Sequence, residues 1–209
     1  MIYLPDAFHE TDRHALHELI ESYGFATLIS LDETEPMITH LPLLLDRGRG
    51  SHGTLIGHFA RANPHWRKLE ERPEATAVFH GPHAYVSPSW YGVQPSVPTW
   101  NYAVVHASGR ARLLHEPQAL EHITRRLVET FESPRPEPWR MELPSDFHQR
   151  MLAGIVGFEI EIAQLRGKFK LSQNRTLEDR RRVVTQLAAG SPTDQEVAEL
   201  MRARVLHQR

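Results

Sequence analysis

The 209-residue sequence contains no cysteine. Disulfides, thiolate zinc sites, iron–sulfur clusters and cysteine nucleophiles are therefore excluded. It also lacks any apolar run near the roughly 18 residues that a membrane-spanning helix needs. The opening MIYLPDAFHETDRH has no basic region followed by an apolar one, so it does not read as a secretory signal. The expected location is cytoplasmic, with no membrane partner. A surplus of charge is missing too: Lys and Arg total 24 against 26 Asp and Glu, a formal net charge of -2. A dedicated nucleic-acid binder uses a strong basic surplus to release counterions, and no helix-turn-helix pattern offsets its absence. There is no Gly-x-Ser-x-Gly, no P-loop, no G-x-G-x-x-G and no His-Glu-x-x-His. With no nucleophile arrangement and no metal motif, any redox chemistry would have to be carried by a cofactor.

What is present begins with an apolar content of 40%, enough for a real core. Histidine is abundant, at 14 residues, but scattered. His14 and His17 share a helix face, and both are expected to be solvated. Leu16, Leu19, Ile20 and Tyr23 make one apolar stripe on a helix over 11–23, capped by Thr11 or Asp12 and stopped at Gly24. Strands are expected at 25–31, 37–46 and 54–60, with a turn at 32–36. Asn63–Pro64 opens a short helix through Glu70. Further strands are expected at 75–80 and 83–87, joined by Gly81–Pro82, and at 102–114, where Gly109 marks a bend. Helices follow at 116–131 and 147–153, then strands at 155–164 and 168–171. Terminal helices cover 177–189 and 192–207. Strands without strict β-α alternation predict a mainly β fold with helical additions.

Some segments could carry chemistry. In GHFARANPHW, residues 57–66, a strand gives way to a helix whose free N–H groups favour phosphate, with Arg61 as a bidentate donor beside it. The plain alternative is a strand–helix junction with a solvated arginine. In LRGKFKLSQNR, residues 165–175, period-two alternation puts Arg166, Lys168, Lys170 and Ser172 on one face and Leu165, Phe169 and Leu171 on the other. Such a face could line a phosphate groove or simply guard a sheet edge with lysines. Gln173 and Asn174 add neutral donors. Trp90, Tyr91, Trp100 and Tyr102, in SPSWY and VPTWNY, could stack on a planar ring or fill a core. MITHLPLLLD, residues 37–46, is a strand interrupted at Pro42, which cannot donate to a ladder.

Taken together and in this order, MIYLPDAF, THLPLLLD, GHFARANPHW, AYVSPSWY, VPTWNYAVVHASGRARLL and GKFKLSQNR resemble the PaiB family of FMN-binding negative transcriptional regulators. The resemblance runs from Met1 to about Asn174. It implies an FMN-binding split β-barrel, an antiparallel Greek-key-like barrel related to pyridoxamine phosphate oxidase and the flavin reductases. It implies a homodimer with FMN at the subunit interface. On that basis residues 1–174 form the barrel domain, and 175–209 a helical extension packed on the barrel or the dimer partner. The resemblance places Thr39, His40 and Leu41 along the flavin ring and His58, Ala60, Arg61 and Asn63 near the phosphate. Trp100, Asn101, Lys168, Lys170, Gln173 and Asn174 complete the site. The function implied is regulatory or redox-sensing. The alternatives are an FMN-dependent oxidoreductase and a haem-binding split barrel. DNA binding follows from the family name but has no support in charge or motif.

Overall fold

Phe25–Leu31 combines aromatic, β-branched and aliphatic residues with small ones, and Thr54–Ala60 is largely apolar. Both segments form strands with those bounds, β2 and β5. The computed structural model describes residues 2–32 and 35–206. The opening methionine, part of the turn expected at 32–36 and the last residue of the helix expected at 192–207 lie outside the described residues.

Helix α1 covers Arg13–Ser22 and is capped by Asp12, whose carboxylate accepts from the His14 amide at 3.0 Å. The strand expected over 37–46 divides into β3, Pro36–Pro42, and β4, Leu44–Asp46. Leu43 leaves the ladder between them and donates its amide to the Gly24 carbonyl at 2.8 Å. Helix α2 is a short His65–Glu71, and β6 runs without a break from Glu74 to Val86. Gly81–Pro82 does not divide that strand as expected. A Cβ at Gly81 would stand 2.9 Å from Leu19 and 3.1 Å from the Ala103 carbonyl, so glycine there serves close approach and not a turn.

Strand β7 covers Thr99–Leu114, beginning earlier than expected, and helices α3 and α4 cover Pro117–Glu132 and Ser145–Ala153. Strand β8 is likewise one long strand, Ile155–Lys170, where two were expected. A Cβ on Gly109 of β7 would fall 2.0 Å from the Glu161 carbonyl oxygen of β8, so no larger residue fits there. Helices α5, Leu177–Ala188, and α6, Pro192–Val205, begin at Thr176 and at a Ser191–Asp194 capping box. His17, expected in solvent, is buried because it falls on the α1 face that carries Leu16 and Ile20.

The sheet is eight-stranded, in the order β3-β2-β6-β7-β8-β5-β4, with a two-residue β1, His9–Glu10, beside β8. The pairings β2–β3, β2–β6, β4–β5, β5–β8 and β1–β8 are all antiparallel. The architecture is thus mainly β and antiparallel with helices added, as the element pattern predicts. Among the described residues, no helix is long and apolar enough to cross a membrane.

The chain divides into two compact units. One consists of 23–79 and 106–165. Its core includes Leu28, Leu55, Phe59, Phe79, Phe158 and Ile160, all fully buried. Phe59 stacks on Phe158 at 4.6 Å, and α3 closes over β4 and β5 through Ile123 and Leu127. The other unit consists of 1–22, 80–105 and 166–209, with Ile20, Val86, Val105, Leu171, Val183 and Met201 at its centre. Helices α5 and α6 belong to it.

In the first unit Glu159 of β8 receives Arg49 at 2.6 and 2.8 Å and Arg112 at 2.6 Å. Arg49 above all, then Arg112, hold its carboxyl below the usual range. A folded-state pKa that is depressed adds stability above the unfolded value of about 4.3. That stability is lost as pH falls through the folded value. Glu159→Gln should therefore cost about 1 kcal/mol at neutral pH. Urea denaturation should show the difference from wild type shrinking below about pH 4. A constant difference across that range would contradict the ion-pair account.

Candidate functional site

The motif segments build two centres, one in each unit. In the unit of 23–79 and 106–165, β3 and the β5–α2 junction supply the first. Thr39, half-buried on β3, lies 2.8 Å by its Oγ1 from His65 Nδ1 and accepts from Asn63 Nδ2 at 3.1 Å. Asn63 Oδ1 accepts from the His65 amide at 3.0 Å and so fixes the start of α2. His65 Nε2 lies 2.9 Å from Ser30 Oγ on β2. Thr39 and Asn63, expected on ring and phosphate respectively, are thus brought together, with His65 and Ser30 behind them.

Around this network His40 is exposed, Leu41 buried and Ala60 exposed. His58 is half-buried, and its Nδ1 is buried without a hydrogen-bond partner. Desolvation lowers its pKa, so its ring is neutral near pH 7. Arg61 is engaged otherwise than expected. Its Nε donates to the Ala153 carbonyl at 2.6 Å and Nη2 to the Ile155 carbonyl at 2.8 Å. It clamps the junction of α4 and β8, and a phosphate there would compete with two carbonyl oxygens. Helix α2 has only seven residues, so its terminus adds little field.

The second centre lies in the unit of 1–22, 80–105 and 166–209. Strand alternation holds through the end of β8: Phe169 is buried, while Lys168 and Lys170 are half-buried on the other face. Both lysines line a cleft of about 390 Å³ with Tyr3, Pro5, Phe8, Thr99, Trp100 and Tyr102. Lys168 Nζ donates to the Tyr3 carbonyl at 3.0 Å and sits over the Tyr3 ring at 4.9 Å. Lys170 Nζ donates to Thr99 Oγ1 and to the Trp100 carbonyl. Desolvation first, then the charges of Lys168 and Arg175, push the Lys170 pKa down. An anion in the cleft would relieve that repulsion.

Ser172 does not stay on the basic face. It turns inward at φ 65°, is buried, and bonds Asn101, whose Nδ2 donates to it at 3.0 Å. Asn101 is itself fully buried, and Nδ2 also reaches Met201 Sδ at 3.3 Å. Gln173 folds back on the backbone, donating to the Phe169 carbonyl at 2.5 Å and accepting from the Leu171 amide at 2.6 Å. Trp100 and Asn174 are exposed.

Sequence reasoning missed Ser30, for which no local signal exists, and His65, which sits inside the quoted motif GHFARANPHW. It also missed Tyr3, Phe8 and Thr99, which sit inside the quoted motifs MIYLPDAF and VPTWNY. The residues present suit a phosphorylated flat ring on two observations. His58 Nδ1 is an orphaned buried polar atom. The cleft joins two ammonium groups to four aromatic rings and contains no carboxylate.

Residues 2–164 match the family described as "Putative FMN-binding domain". The protease synthase and sporulation protein PAI 2 of Bacillus subtilis (strain 168) is 36% identical over 210 residues, spanning 99% of this chain and 100% of its own length. Among solved structures, the flavocytochrome Anf3 from Azotobacter vinelandii superposes with a TM-score of 0.61 at 16% identity, covering 81% of this chain and 70% of that one. The FAD and heme binding protein from Mycobacterium smegmatis also gives 0.61, at 18% identity, covering 88% and 80%. At such identities the likeness shows the fold alone, a split β-barrel.

Proposed function

This chain belongs to the PaiB-type FMN-binding domain family, and from that premise we propose that it binds FMN as a homodimer and serves as a regulatory or redox-sensing protein. The observation that carries the reading is the cleft in which Lys168 and Lys170 face four aromatic rings with no carboxylate among them. Ammonium groups recognise phosphate and aromatic faces recognise a flat heterocycle. The proposed contacts are Thr39, His40, Leu41, His58, Ala60, Arg61 and Asn63, with Trp100, Asn101, Lys168, Lys170, Gln173 and Asn174 as the second group. In a homodimer with FMN at the interface, the two groups need not come from one copy of the chain.

When bound, FMN supplies one- or two-electron redox chemistry. The chain's own part is to bind and orient. Lys170 offers a charge whose desolvation and crowding a phosphate would offset. His58, neutral through burial, offers a nitrogen that a ligand donor could satisfy. Thr39 and Asn63 are held in register by His65.

Titration of FMN and of FAD, followed by quenching of flavin fluorescence, tests the reading. FMN should bind at least tenfold more tightly than FAD, because the sequence has no dinucleotide fingerprint. Equal or tighter FAD binding would overturn the FMN assignment. A Soret band in the purified protein would favour haem instead. Light scattering at micromolar concentration tests the dimer.

A further inference from the structure

His65 is fully buried, and its two ring nitrogens face two hydroxyls: Nε2 meets Ser30 Oγ at 2.9 Å and Nδ1 meets Thr39 Oγ1 at 2.8 Å. The ring is held against Phe59, with centroids 5.3 Å apart. Burial lowers the His65 pKa, so the ring is neutral near pH 7. One nitrogen then carries a hydrogen and the other accepts one.

Counting hydrogens decides which. Ser30 is buried, and its hydroxyl has His65 as its side-chain partner. If Nε2–H donated to Ser30, the serine hydrogen would be left in a dry interior, which costs about 1–3 kcal/mol. If Ser30 donates to a bare Nε2, that cost vanishes and the proton sits on Nδ1. Nδ1–H then donates to Thr39 Oγ1, which already accepts from Asn63 Nδ2 at 3.1 Å. Both lone pairs of the threonine hydroxyl are filled. Its own hydrogen must point elsewhere, from a half-buried position on β3, the end strand of the sheet order.

We propose that His65 is a positioning residue: held in its Nδ1–H form by Ser30, it makes the Thr39 hydroxyl an obligate hydrogen-bond donor toward the bound ligand. The ligand atom that meets Thr39 is then an acceptor, a ring carbonyl oxygen or an unprotonated ring nitrogen, and not an N–H. This inference rests on the proposed flavin site, since it treats Thr39 as facing the ligand. The hydrogen-bond direction itself is a property of the protein alone.

Two measurements test it. Nitrogen-15 NMR of the full chain, with the His65 signal assigned by its loss in His65→Gln, reads the tautomer directly. The Nδ1–H form is expected, and an Nε2–H form overturns the inference whatever FMN does. FMN titration of side-chain mimics reads the consequence. His65→Asn places an amide near the Nδ1 position and should retain affinity within about threefold. His65→Gln places it near Nε2, facing Ser30, and should weaken FMN about tenfold, the worth of one hydrogen bond. Thr39→Val should lose the same tenfold, and His65→Gln should add nothing further in that background. Equal losses for the two mimics, or additive losses with Thr39→Val, would show His65 to be a core residue only. A wild-type chain that leaves FMN unbound overturns the proposed function, while the NMR result still decides the direction of the Thr39 hydrogen.

Discussion

Lys170→Met should weaken FMN binding about tenfold to a hundredfold while leaving the chain folded. The ammonium sits in a half-buried cleft where its own charge is destabilised by desolvation, by Lys168 and by Arg175. A phosphate oxygen placed there gains a charge-assisted bond, worth roughly 1.5–3 kcal/mol, which is the stated range in affinity. Methionine preserves most of the stem and gives up only the ammonium, which lies 5.9 Å from the Phe8 ring centre. The bonds to Thr99 and the Trp100 carbonyl are lost, but so is a partly desolvated charge. These nearly cancel, and the ligand-free melting temperature should move by only a few degrees. Fluorescence titration and thermal melts read the two effects separately. Because the Lys170 pKa is lowered, wild-type affinity should also fall as pH rises toward it, earlier than for an ordinary lysine. If Lys170→Met binds FMN like the wild type, the basic face of β8 is edge protection and the cleft is not the phosphate site.

Phe169→Ala should do the reverse and cost roughly 3–5 kcal/mol of stability. One residue along the strand, alternation turns this side chain to the opposite face, where it is 3% exposed. Removing a buried phenyl ring loses its transfer free energy and leaves a cavity that a β-strand closes poorly. For a chain of this length the melting temperature should drop by about 6–20 °C. Gln173 folds back onto the Phe169 carbonyl, so the turn that carries Gln173 and Asn174 should loosen too. A loss under about 1 kcal/mol in urea titration would mean that the unit does not pack on this ring. Together the adjacent variants separate a binding face from a packing face on one strand.

Much of this was legible from residue order alone. Strands β2 and β5 follow from dense apolar and β-branched runs, and α5 and α6 begin at hydroxyl caps that local chemistry identifies. The alternation that separates Phe169 from Lys168 and Lys170 was also readable, because a strand has a fixed period. What failed were inferences that ignored neighbours distant in sequence. Gly81–Pro82 reads as a turn, yet glycine stands there because Leu19 and Ala103 come close. Asn101 reads as a polar residue between a tryptophan and the strand expected from Tyr102. Its partners are Ser172 and Met201, which no window of sequence joins to it. His65 lies in the opening turn of a short helix, and nothing beside it in sequence shows that β2 and β3 make it the centre of a polar network. Arg61 was legible as a cation at a strand end, but not as a clamp on carbonyls some ninety residues later.

The make-up of the two units has a consequence for how the chain is made. One unit needs nothing beyond residue 165, so all of its parts can leave the ribosome with the last helices still unmade. The other draws on 1–22, 80–105 and 166–209, and Arg204 of α6 pairs with Glu10 and Asp12 at the far end of the chain. Residues 1–22 can meet 80–105 once those are made, as Leu19 does at Gly81, but their unit is complete only when 166–209 follow. Loop closure over so long a separation makes this the late and slow step of folding. The lysine cleft, built from residues 3–8, 99–102 and 168–170, cannot exist until that step is reached.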